Sequence, residues 1–114
     1  MPILLVYGIP EDVKEKQLSE FCEVLKDSVC LIKELGITKK QVSVFFPKDR
    51  LKEGLGEEII IFVEGLFEKP ERTKKVRAVL AEQMATTTKI FFSKAKLVEC
   101  FVKPFNPSLG FSDA

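Results

Sequence analysis

Histidine and tryptophan are absent from this 114-residue chain, and tyrosine occurs once. Without histidine there is no Ser–His or Cys–His nucleophile pair, and most catalytic metal sites are excluded too. The three cysteines, Cys22, Cys30 and Cys100, are an odd number without metal-ligand spacing. Cys22 and Cys30 fall in an apolar helical pattern, where a reduced cysteine serves as a small hydrophobe. No metal site is expected. An excess of one charge is also missing: 18 Lys and Arg against 17 Asp and Glu leave a net +1. That balance gives no electrostatic reason to expect nucleic acid or an anionic membrane as partner. No apolar run approaches the ~20 residues that span a bilayer, and the first residues lack the basic leader of a signal peptide. A cytoplasmic protein is the expectation. Any chemistry is left to carboxylates, Lys, Arg, Tyr, Ser, Thr or the amino terminus.

What is present begins at the first residues. Met1-Pro2 leads without a linker into Ile3-Leu4-Leu5-Val6-Tyr7-Gly8, an apolar run that predicts a buried strand over 3–8. Gly8-Ile9-Pro10 interrupts it, and Asp12 is the expected N-cap of the next helix, with Glu11 or Pro10 as alternative boundary residues. Leu18, Phe21, Cys22, Leu25, Val29 and Ile32 then recur at helical spacing, which predicts a helix within 13–35 stopped by Gly36. A second strand is expected over 41–46, closed by Pro47. The polar segment 48–58, with Gly54 and Gly56, reads as a loop. The β-branched run Ile59–Val63 predicts a third strand extending to Phe67, with Gly65 as a bend or close approach. Pro70 fits the first turn of a second helix, with Glu71 near its positive end, and Val76, Leu80 and Met84 form its inner stripe. A fourth strand is expected over 97–102, after which Pro104 and Pro107 break the tail.

The resulting order is βαβ, loop, βαβ in one domain, 1–114. Its halves, 1–47 and 59–103, echo one another, with Val6-Tyr7-Gly8-Ile9 matching Val63-Glu64-Gly65-Leu66, and a tail follows over 104–114. The fold class predicted is α+β: doubled β-α-β units in a four-stranded sheet with two helices on one face. Strands one and three are apolar at nearly every position, which asks for cover on both faces. The second cover must come from another chain, so self-association is expected.

If Met1 is removed, Pro2 becomes a secondary amine at the end of a buried strand and a candidate base. An α-amino group titrates near ~8, and burial or nearby cations lower that value. A neutral amine takes a proton from carbon beside a carbonyl and returns it elsewhere, while the developing enolate needs a cation or N–H donors. Ile3, Leu5, Val63 and the phenylalanines are candidate walls. The candidate cations are Lys39, Lys40, Lys48, Arg50 and Lys103, although Lys48 and Arg50 also read as solvated loop charges. Phe105 and Phe111 are candidates for a pocket mouth or for fixing the tail at an interface. Glu64, in an apolar strand, needs a partner.

With Pro2 opening the first strand, the doubled βαβ pattern, Val42-Ser43-Val44-Phe45-Phe46-Pro47, and the tail Phe101–Phe111, the chain resembles the tautomerase superfamily. The tail is similar to that of carboxymethyl-hydroxymuconate isomerases. The length and middle strand are similar to macrophage migration inhibitory factor. The resemblance implies a homotrimer with sites near subunit boundaries, and cofactor-free keto–enol tautomerisation of a small, carboxylate-bearing enol or keto acid. Pro2 would be catalytic, and Lys39, Arg50, Leu66 (through its backbone amide), Phe101 and Phe105 would bind substrate. Some family positions depart: Pro10 and Glu11 stand near an expected arginine, Ser43 near another, and Val98 and Cys100 where Tyr and Asn occur. Two other readings stand beside it, a non-catalytic homotrimer with a degenerate site and a ferredoxin-like binding domain of the same element order.

Overall fold

The structure, a computed structural model, describes residues 1–114. Strand β1 (Ile3–Tyr7) leads to helix α1 (Glu15–Cys30), strands β2 (Ser43–Phe45) and β3 (Glu58–Phe67), helix α2 (Lys74–Phe91) and strand β4 (Leu97–Phe105). The sheet order is β2-β1-β3-β4. β1 pairs parallel with β2, β3 pairs parallel with β4, and β1 and β3 join the two units antiparallel. Each parallel pair is adjacent in the sheet. This excludes the ferredoxin-like reading, whose split βαβ unit places another strand between its parallel partners.

One face of the sheet carries the core. Leu4, Val6, Ile59, Ile61, Val63 and Leu66 alternate along β1 and β3 and are essentially inaccessible. They meet Phe21, Leu25 and Val29 of α1, spaced four apart on one face, and Leu80 and Met84 of α2. Phe21 is the keystone, with its ring against those of Phe92 (4.9 Å), Phe91 (5.2 Å) and Phe46 (6.2 Å). Burying such a ring contributes up to about 3 kcal/mol.

The opposite face is bare. Ile3, Leu5 and Tyr7 alternate with the core residues of β1, as Ile60, Phe62 and Glu64 do on β3. Phe62 stacks on Phe101 at 5.5 Å and meets the edge of Tyr7 at 5.9 Å. Phe101 is 48% exposed. An aromatic stripe therefore lies uncovered, on the face for which the sequence pattern demanded a second layer.

Several boundaries differ from expectation. Helix α1 starts at Glu15 with Lys14 at its cap, not Asp12; the Gln17 side chain accepts from the Lys14 N–H at 3.3 Å. It ends at Cys30, a short 3-10 turn carries the chain over Lys33–Leu35, and Gly36 closes that turn at φ 62°. Strand β2 is only three residues long because Lys39–Gln41 form another 3-10 turn. Pro70 lies in the turn before α2, not in it. Thr73 caps that helix, its hydroxyl accepting from the Val76 N–H at 3.2 Å. The three threonines 86–88 remain helical, and the buried Thr88 hydroxyl donates to Met84 O at 2.7 Å. Pro104 does not end β4, which runs to Phe105 and pairs Pro104 with Leu66. An edge strand tolerates proline because one side of its backbone needs no partner. No helix is long and apolar enough to cross a membrane.

Candidate functional site

Antiparallel pairing of β1 with β3 sets Ile3 opposite Glu64, so the start of the chain lies beside the end of β3. There the sheet is irregular. The β3–β4 register slips between Val63 and Leu66, and Gly65 takes φ 67°. A Cβ on Gly65 would stand 2.9 Å from the Met1 carbonyl oxygen. The bulge with its missing side chain makes room for the Met1-Pro2 peptide. Pro2 is buried, and its carbonyl accepts from the Ser43 N–H at 3.2 Å.

Beside Pro2 is a cavity of about 230 Å³. Met1 and Pro2 form one wall, and Gly36, Ile37 and Gln41, from the α1–β2 connection, form another. Phe67, at the end of β3, and Lys69 and Arg72, from the β3–α2 turn, complete it. With Met1 in place the Pro2 nitrogen is a peptide nitrogen without basicity. Removing Met1 would leave a secondary amine on this cavity and enlarge it.

Arg72 is the main electrostatic feature. It is 8% exposed, and its Nε and Nη2 donate to Leu35 O at 3.1 and 2.7 Å, while Nη1 donates to Phe67 O at 2.7 Å. Leu35 lies in the α1–β2 connection and Phe67 ends β3, so the guanidinium ties two walls of the cavity together. Arg77 in turn donates to Arg72 O at 2.6 Å. No carboxylate pairs with Arg72: the four ion pairs of the chain are Lys39 with Glu23 and with Asp27, Lys52–Glu11 and Lys96–Glu57. Burial lowers the Arg72 pKa, with Glu71 opposing weakly, yet arginine keeps its charge in proteins. Three of its five N–H groups serve backbone carbonyls. The remaining two, on a positive charge without an ion-pair partner, suit an anion, above all a carboxylate.

The residues expected to form the site are dispersed. The Lys39 ammonium is held by Glu23 at 2.7 Å and Asp27 at 3.1 Å on α1, which push its pKa up to about 12. It does not line the cavity. Arg50 is exposed in the β2–β3 loop, also outside the lining. The Leu66 side chain is in the core, so only its backbone is left to face the amino terminus. Phe101 lies on the bare sheet face against Phe62. Phe105 reaches the neighbourhood of the cavity through Phe67, 6.2 Å away, and Phe111 meets Phe67 edge-on at 4.8 Å. Of the expected catalytic and binding residues, Pro2 alone lines the cavity.

Sequence reading missed Lys69, Arg72, Gln41 and Phe67. Over 69–72 only Pro70 and Glu71 carry a sequence reading, as the first turn of a helix. The signal that could have found them was topological: if β1 and β3 are antiparallel, whatever follows Phe67 arrives beside Pro2.

No family model and no curated protein matches this sequence. Solved structures do match in three dimensions. Native fused 4-OT is 14% identical with a TM-score of 0.71, over 97% of this chain and 91% of that one. N1, a member of the cis-3-chloroacrylic acid dehalogenase family, is 12% identical with a TM-score of 0.70, over 96% and 79%. Malonate semialdehyde decarboxylase is 10% identical with a TM-score of 0.66, over 98% and 90%. At such identities the likeness is one of fold.

Proposed function

The chain has the tautomerase-superfamily fold, and from that premise we propose that, once Met1 is removed, it is a cofactor-free keto–enol tautomerase of a small carboxylate-bearing enol or keto acid. The observation carrying this reading is that one cavity joins the buried Pro2 to a buried Arg72 that forms no ion pair. Arg72, with Lys69 nearby, holds the substrate carboxylate. The Pro2 amine takes the enol hydroxyl proton as the oxygen becomes a carbonyl. The resulting ammonium then delivers a proton to the carbon at the other end of the former double bond. Net, an O–H and a C=C become a C–H and a C=O, and the amine is regenerated.

A trimer belongs to the same proposal. The uncovered stripe of Tyr7, Phe62 and Phe101 is the kind of apolar patch that marks a protein interface, and fused 4-OT neighbours are described as trimers. The fold alone does not choose the reaction, since the neighbours include a decarboxylase with hydratase activity. The second reading is a non-catalytic trimer, which holds if Met1 is retained, since Pro2 is then an amide. The deciding experiment prepares Met-free protein and a Pro2→Ala variant and follows ketonisation of the phenylpyruvate enol. The proposal expects a loss of about a hundredfold or more in the variant. Equal rates would end the role of Pro2.

A further inference from the structure

Gln41 lies where β2 approaches the amino terminus. Ile3 stands opposite Ser43 in the parallel pairing of β1 and β2, and Gln41 ends the 3-10 turn just before that strand. Gln41 and Met1 both line the cavity that holds Arg72.

The orientation of the Gln41 amide follows from its neighbour. The Thr38 backbone N–H lies 2.9 Å from one terminal atom of the amide, and the Thr38 hydroxyl lies 3.4 Å from the same atom. A backbone N–H only donates, so that atom must be the oxygen, Oε1. Gln41 Oε1 is thereby occupied by Thr38, and Nε2 has no hydrogen-bond partner within the chain. The amide is a neutral donor on a cavity wall that Met1 and Pro2 also line.

Resting on the tautomerase reading above, we infer that Gln41 is a specificity-determining residue that selects 2-oxo acids and their enols. Its Nε2 donates to the C2 oxygen while Arg72 takes the adjoining carboxylate. A donor without a partner in the chain gains one hydrogen bond from an oxygen at C2 and nothing from a methylene there. Sites that hydrogen-bond a substrate oxygen discriminate strongly against the analogue lacking it. In the turnover direction the same donor faces charge developing on that oxygen.

The test uses Met-free Pro2→Ala protein, so that binding is read without turnover, and compares phenylpyruvate with 3-phenylpropanoate by titration calorimetry. With Gln41 intact, phenylpyruvate binds about tenfold more tightly, the worth of one net hydrogen bond. Gln41→Leu abolishes that preference and leaves 3-phenylpropanoate affinity unchanged. Gln41→Glu retains an acceptor for Thr38, and hence the thermal midpoint, but weakens both acids because it adds a negative charge beside a carboxylate. The same preference with Gln41 intact and in the Gln41→Leu variant overturns the assignment, as does an absence of preference with Gln41 intact. A Gln41→Glu protein that binds both acids as before overturns it too. These outcomes are independent of whether Pro2 catalyses: inactive Met-free wild type that still prefers phenylpyruvate removes the tautomerase reading and keeps Gln41 as a 2-oxo-acid selector.

Discussion

The two ends of the sheet are built on one plan and differ in what they hold. At one end β1 runs out at Gly8 against the start of β3, and at the other β3 passes Gly65 against the start of β1. Gly8 has φ 88°, and a Cβ there would lie 2.0 Å from Glu58 O. Gly65 has φ 67° and would meet Met1 O at 2.9 Å. At the first end the connection leaving β1 carries the acidic Glu11 and Asp12, with Glu11 3.7 Å from Lys52. The second end holds the start of the chain, a cavity, and the unpaired Arg72. A doubled fold offers two equivalent corners. The corner at the chain start is the one where Pro2 and the buried Arg72 line a common cavity.

Substitution of the paired glycines is the strongest way to break that comparison. Gly8→Ala is expected to cost about 3 kcal/mol or more, because the clash is with backbone and the φ disfavours any side chain. Gly65→Ala should cost about 1–2 kcal/mol, and less in Met-free protein, because the nearest obstructing atom leaves with Met1. Urea unfolding of both variants, with and without Met1, reads the difference; equal costs at the two glycines would erase the asymmetry.

Arg72→Met tests the buried charge at the cavity directly. It strips donors from Leu35 O and Phe67 O, costing about 1–3 kcal/mol, and it should raise KM for an anionic enol about tenfold or more. Arg72→Lys should recover part of the KM effect and less of the stability, since an ammonium cannot reproduce the fork that ties both carbonyls. Catalysis unaffected by either change would leave Arg72 a purely structural clamp.

A comparison of the bare face with the cavity predicts a further separation. On the trimer proposal, Phe101→Asp places charge in the interface stripe and should yield smaller species in analytical ultracentrifugation. The secondary structure of the subunit should persist, as Phe101 is not part of the core cluster. An unchanged sedimentation coefficient would remove this face from assembly.

The smallest effect is expected at Lys39. Its folded-state pKa of about 12 exceeds the ordinary lysine value of 10.5, raised by Glu23 and Asp27. A raised lysine pKa gives a contribution fully present below the ordinary value and lost as pH rises through the folded one, so the window is 10.5 to 12. The pair is solvent-exposed, and Lys39→Met should lower Tm by only about a degree or two at neutral pH. A large loss of activity in that variant would return Lys39 to the site.

Unbroken apolar runs and helical periodicity carried most of the fold. Phe21 and Leu25 pack where their spacing placed them, and Leu4, Val6, Ile59 and Ile61 lie in the runs read as buried strands, because apolar pattern and burial are two expressions of one constraint. Boundaries were less legible. Asp12 and Pro70 have the right chemistry for helix starts, but Lys14 and Thr73 hold those places, since the turn that aims each helix at the sheet sets its first residue. Pro104 reads as a breaker and sits in a strand because that strand is at an edge, a fact no local window contains.

By itself the sequence determined the α+β class, the doubled βαβ order, the apolar face in need of cover, and Pro2 as the residue to watch. These depend on near neighbours along the chain and on the repeat of a pattern. Only the tertiary structure decided which charge accompanies Pro2. Lys39, on the segment leading to β2, is drawn onto α1 by two carboxylates, whereas Arg72, far along the chain from Pro2, is delivered to it by antiparallel pairing. Electrostatic partners are chosen by distance in space, and that distance is fixed by the sheet.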